Sequence, residues 1–115
     1  MKPLELARLY MDIVFDSPQM ERLVDILADD LKFRGPFFQS DCADDYIRTM
    51  ASDPPVGFRY KILQEYEDNS SACLIYSFEK PGISTTMAQV FQTKGNKISE
   101  ILLVFDSAVF QTPGT

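Results

Sequence analysis

Histidine is absent from these 115 residues. Without it this chain cannot build a Ser-His-Asp triad, a Cys-His dyad or a His-ligated metal site. Cysteine is scarce: Cys42 and Cys73 are too few for a four-thiolate zinc or iron–sulfur site. Acid–base chemistry therefore falls to Asp, Glu, Tyr, Cys or Lys, and no metal and no cofactor are expected. Long apolar runs are also lacking. The longest, Ile101 to Phe105, is far short of the roughly 20 residues of a membrane-spanning helix. Glu5, Arg8 and Asp12 interrupt the stretch that a secretory signal would keep apolar. There is no basic block either. The eleven Lys and Arg are scattered from Lys2 to Lys97 against seventeen Asp and Glu, for a net charge of -6. Such a surface repels phosphate, so neither nucleic acid nor an anionic membrane is an expected partner. With no secretory signal, two reduced thiols and a cytoplasmic location are expected.

What is present is 45% hydrophobic residues in a length that suits one domain, residues 1–115, with a loose tail at 111–115. That apolar content supplies one core and something more, either a cavity or a subunit interface. Leu6, Leu9, Tyr10, Ile13 and Val14 recur at helical spacing and predict a first helix. Ser17 as N-cap and Pro18 at the first turn predict a second, with Met20, Leu23, Val24 and Leu27 inward. Asp29-Asp30 reads as a turn, Leu31 to Arg34 as a short strand, and Gly35-Pro36 as its end. Ser40 or Asp41 then caps a third helix with Ala43, Tyr46, Ile47 and Met50 inward, which Asp53-Pro54-Pro55 breaks.

From Val56 the period becomes two. Val56, Phe58, Tyr60 and Ile62 form one inward row, followed by Leu74, Tyr76 and Phe78. Thr85, Met87, Gln89 and Phe91 form the next, and Ile101, Leu103 and Phe105 the last. The turns between them, Asp68 to Ser71, Pro81-Gly82 and Lys94 to Lys97, are close enough to join antiparallel neighbours. The prediction is an α+β domain: three N-terminal helices on a curved antiparallel sheet made of a short first strand and a four-strand meander. Leu63, Ile75, Val90, Leu102 and Val104 put apolar residues on the other face as well. A homodimer through the sheet is the expected cover.

The order of elements, and above all Leu27-Ala28-Asp29-Asp30-Leu31-Lys32-Phe33-Arg34-Gly35-Pro36, resembles the NTF2-like superfamily over residues 4 to 110. That superfamily includes nuclear transport factor 2, ketosteroid isomerase, limonene-epoxide hydrolase and the SnoaL-like cyclases. The resemblance implies a cone-shaped sheet around a pocket closed by helices, and often a dimer through the outer face. Its catalytic residues carry over poorly. The general-base Asp of ketosteroid isomerases falls on Gly35, their oxyanion Tyr on Met11, and their second acid on Met87. Tyr10 is one step away, about 100° round the helix. That activity is rejected on these three positions. For an epoxide hydrolase, Asp106 matches the last-strand Asp, but Thr86 to Val90 lacks the Arg/Asp pair.

On the implied fold, Tyr10, Val14, Tyr46 and Met50 face the pocket from the helices. Phe33, Phe58, Tyr60 and Tyr76 face it from the earlier strands, and Met87, Gln89, Leu103 and Phe105 from the last two. The same residues could instead fill the core and leave no cavity. Gln89, an amide in an apolar row, would bond a ligand oxygen or a neighbouring Tyr60 or Tyr76. Arg34 would clasp an acidic ligand or pair with Asp29, Asp30 or Asp44. Asp106 would be a general base of raised pKa or a strand-end turn cap. Cys73 and Cys42 read as structural. Asp41, Asp44 and Asp45 suit a helix N-terminus and lack the pattern of a calcium loop. Two functions stay open. One is cofactor-free isomerisation, cyclisation or hydration, with Asp106 and a pocket Tyr as acid and base and Gln89 as carbonyl donor. The other is a non-catalytic dimeric module that binds a small apolar, ring-containing organic ligand, or a protein.

Overall fold

The computed structural model describes residues 1–16, 19–55 and 57–110. The expected N-cap Ser17, first-turn Pro18, strand residue Val56 and tail 111–115 lie outside them. The first helix, α1 (Pro3–Met11), starts where the Glu5 carboxylate accepts the Lys2 N–H at 2.9 Å. It buries Leu6, Ala7, Tyr10 and Met11. It then widens into a π turn over Asp12–Asp16, which buries Ile13 and Val14. Such widening shifts the phase of the side chains that follow and is common near functional sites.

The second helix is shorter than expected. Met20–Asp25 winds as a 3-10 helix, three residues to the turn. Met20 and Leu23, spaced three apart, therefore share the buried side, while Val24 turns out and is 56% exposed. Leu27 and Ala28 do not close that helix. They open β1 (Leu27–Arg34), and Asp29-Asp30 lies within the strand, where its register shifts between Leu27 and Lys32. A two-residue β2 (Gln39–Ser40) pairs with its end. The expected third helix, α2 (Ala43–Ser52), has Cys42 at its N-cap in place of Ser40 or Asp41. Ser40 is taken up by β2, and Asp41 is held by Arg34.

Four long strands follow: β3 (Arg59–Glu67), β4 (Ser71–Lys80), β5 (Ile83–Lys94) and β6 (Lys97–Val104). They pair antiparallel in sequence order, as the closely spaced turns predict. The six-stranded sheet runs β2-β1-β6-β5-β4-β3 and does not close. It is mixed, not wholly antiparallel, because β1 lies parallel to β6, with Leu27 opposite Ile98 and Phe33 opposite Ile101. The long excursion through α2 and the meander supplies the crossover that a parallel pair needs. Register shifts between Ile62 and Gln64 and between Gln92 and Thr93 bend the strands. One face packs on the helices and carries the core, including Leu74, Tyr76, Phe91 and Ile101. No helix among the described residues is long and apolar enough to cross a membrane.

Candidate functional site

Between the helices and the core face of the sheet lies a cavity of about 280 Å³. Its floor is polar. The Tyr10 and Tyr46 hydroxyls hydrogen-bond each other across α1 and α2. The Tyr76 hydroxyl donates to Gln89 Oε1 at 2.9 Å. Gln89 is 2% exposed, so its amide depends on protein partners such as Tyr76. Alternation places Tyr76 and Gln89 on the inward rows of adjacent strands, β4 and β5.

These phenols are held neutral. Burial pushes the Tyr10 hydroxyl up, and hydrogen bonds from Tyr46 and Gln89 pull it partly back. Burial, then the charge and hydrogen bond of Tyr10, push Tyr46 well above the usual range. Burial also drives Tyr76 far up, with a smaller push from Tyr10. The floor is therefore a set of hydrogen-bonding neutral groups that lacks an ionised base.

The walls are aromatic. Phe33 lies between Phe38 and Tyr46, with ring centres 4.8 and 4.7 Å away. Phe58, Phe78 and Phe110 line the opposite side, and Phe37, 59% exposed, marks the mouth. Among the described residues the charged side chains in the lining are Asp53, exposed at the end of α2, and Lys80, half-buried at the end of β4.

Of the residues expected at a pocket, Tyr10, Val14, Phe33, Tyr46 and Met50 border the cavity. So do Phe58, Tyr76, Met87, Gln89, Leu103 and Phe105. Tyr10, and not the gap-free match Met11, reaches it, although both are buried. Three residues stand elsewhere. Tyr60 packs on Phe15 and donates to Asp16 Oδ2 at 3.0 Å. Arg34 is consumed structurally: its guanidinium donates to the Phe33 and Ser40 carbonyls and to Asp41 Oδ1, at 2.9, 3.0 and 2.8 Å. Asp106 is exposed and outside the cavity, where its carboxylate accepts the Ala108 N–H at 3.0 Å. A strand-end carboxylate satisfied by a turn is not a buried base, so Asp106 is the turn cap of the two expected roles. At Gly35, an added Cβ would come within 3.0 Å of the Phe33 ring, so the ring fills the space where a junction carboxylate would begin.

Several lining residues escaped the sequence reading. Phe78 stands in the expected inward row of β4 but not among the expected pocket residues, and Lys80 could have been found by extending that row. Phe15 enters through the π turn. Phe37, Phe38 and Phe110 come from loops or a short turn, where no period marks orientation. Among the described residues no cluster of three metal-ligating side chains occurs.

No family model matches the chain, and no curated protein matches it. Solved structures do. An NTF2-like protein of unknown function from Cytophaga hutchinsonii ATCC 33406 superposes with a TM-score of 0.83 at 16% identity, over 97% of this chain and 96% of that one. A Kribbella flavida DSM 17836 protein provisionally named a ketosteroid isomerase gives 0.79 at 18% identity, over 97% and 83%. An LEH-like epoxide hydrolase of M. tuberculosis gives 0.76 at 15% identity, over 95% and 86%. The fold of this chain is the NTF2-like fold.

Proposed function

We propose that this chain, on its NTF2-like fold, is a binding module for a small ring-containing organic molecule that presents a hydrogen-bonding oxygen to the cavity floor. The observation that carries this reading is the buried Tyr10–Tyr46 and Tyr76–Gln89 set at the base of an otherwise aromatic cavity. Apolar walls with a few convergent polar groups are what small-molecule sites are made of. Either hydroxyl of the Tyr10–Tyr46 pair can be the donor, and with one proton lying between them the other proton is left for a carbonyl or hydroxyl oxygen. An isomerase, cyclase or hydratase would need a base as well. Among the described residues the cavity's carboxylate is Asp53 at the open mouth, which favours binding over turnover.

The reading includes a homodimer through the outer sheet face, where Leu63, Tyr66, Leu102 and Val104 are exposed. It also includes a cytoplasmic location, which the two unpaired thiols suit. The test is native mass spectrometry of freshly purified protein, followed by calorimetric titration with naphthol. A copurified or added ring compound should bind, be recovered chemically unchanged, and lose about tenfold in affinity on Tyr10→Phe, the size of one buried hydrogen bond left unmade. Naphthol binding that ignores both Tyr10→Phe and Gln89→Leu would overturn the reading.

A further inference from the structure

We propose that the cavity's ligand is an organic anion: a body of one or two rings whose carboxylate is held by Lys80 at the mouth while a second oxygen meets Tyr10 at the floor. This rests on the binding reading above and adds the chemical class. Lys80 continues the inward row Leu74, Tyr76, Phe78 of β4, so its side chain is directed to the cavity side of the sheet. Its ammonium lies 5.3 Å from the centre of the Phe58 ring and 5.5 Å from that of Phe110, two walls of the cavity. Ring faces attract the charge but do not satisfy three N–H donors. In a chain with seventeen acidic residues, Lys80 makes no ion pair or side-chain hydrogen bond among the described residues. Asp53 shares the rim without pairing to it.

An ammonium held on aromatic walls beside an apolar cavity, with no carboxylate partner among the described residues, fits a carboxylate brought by the ligand. Charge-assisted bonds are the strong ones, more so where ring walls limit water. Asp53 repels an anion, so the carboxylate belongs on the side of Phe58 and Phe110. The size follows from volume. A cavity of about 150 Å³ takes benzene, so about 280 Å³ accommodates roughly two fused rings.

The experiment is calorimetric titration of the wild-type chain, Lys80→Met and Lys80→Gln with two probes. One is naphthol. The other is a hydroxynaphthoic acid whose hydroxyl and carboxylate stand at opposite ends of the ring system. The wild type should bind the acid about tenfold more tightly than naphthol, the worth of one charge-assisted hydrogen bond. Both variants should lose that preference and keep the naphthol affinity, with melting temperatures showing that they fold. An acid bound no better than naphthol, or a preference that survives both substitutions, overturns the anion and leaves the binding reading standing. Failure of both probes to bind the wild type at millimolar concentration overturns the binding reading and this inference with it.

Discussion

Tyr76 and Gln89 show at single-residue scale how a cavity floor can be both polar and stable. The hydroxyl donates to the amide oxygen, so each supplies the other's partner. Replacing Gln89 by Leu strands a buried hydroxyl and should cost about 1–3 kcal/mol in urea denaturation. Adding Tyr76→Phe should recover part of that loss, because removing both partners is cheaper than removing one. Strict additivity of the two substitutions would show that the pair is uncoupled. The tyrosines also set the alkaline limit. Tyr60 is raised to about 12, by burial first and then by its bond to Asp16, and Tyr10, Tyr46 and Tyr76 are raised by burial. A phenol whose folded pKa exceeds its unfolded value keeps its proton in the folded state while the unfolded chain releases it. Its stabilising contribution is therefore whole below pH 10 and declines as pH rises through Tyr60's value of about 12. Urea midpoints should fall above about pH 10, near the phenol's ordinary pKa. Phenolate absorbance from the buried rings should appear together with loss of circular dichroism. Full ionisation of Tyr10, Tyr46 and Tyr76 before unfolding would contradict their burial.

Among elements, the sheet was the most legible because its inward side chains come from a strict period of two. Tyr76, Met87, Gln89 and Leu103 could be assigned to the cavity face without knowing how the strands pair. Parallel docking of β1 on β6 was not legible, since no local pattern reports which edge a distant strand will join. The segment from Asp12 to Asp30 was only partly legible for a related reason. Its helices are π and 3-10 wound, so a 3.6-residue stripe misplaces Phe15 and Val24, and Asp29-Asp30, a turn by composition, is a register shift inside β1. The β1–β2 junction is tight. Phe33 is stacked on Phe38 and packed on Tyr46, so its ring has little room to retreat from a Cβ on Gly35. Gly35→Ala should destabilise the chain by about 1–3 kcal/mol, as overpacking does. Pairing it with Phe33→Leu should relieve that conflict, at the separate cost of Phe33's ring contacts. If Gly35→Ala is neutral in both backgrounds, the Phe33 ring does not close this space.

For the molecule as a whole, the sheet's two faces differ in cover. The inner face is packed by α1 and α2, whereas the outer face carries a row across all four long strands, Tyr66–Cys73–Val90–Leu102, residues placed opposite one another by the register. Tyr66 is 55% exposed and Leu102 48%, with Val104 beside them at 52%. A bare apolar stripe of this extent costs free energy in water and is characteristic of a subunit contact. A face made of four long strands can also supply the roughly 800 Å² per partner of a standard interface. Light scattering at micromolar concentration should therefore give twice the 13.1 kDa of one chain. Leu102→Glu should give the single mass, because a carboxylate at the β6 end of the row would be buried against its copy without a partner. Since Leu102 is half exposed within one chain, that variant should keep the fold and the naphthol site. Cys73 offers an independent readout. It lies within the row and is half-buried in one chain, whereas Cys42 is exposed at the start of α2. An alkylating reagent should modify Cys42 in both proteins but Cys73 much faster in Leu102→Glu than in the wild type. A wild-type mass of one chain, or equal labelling of Cys73 in the two proteins, would mean that this face meets water and not a second copy.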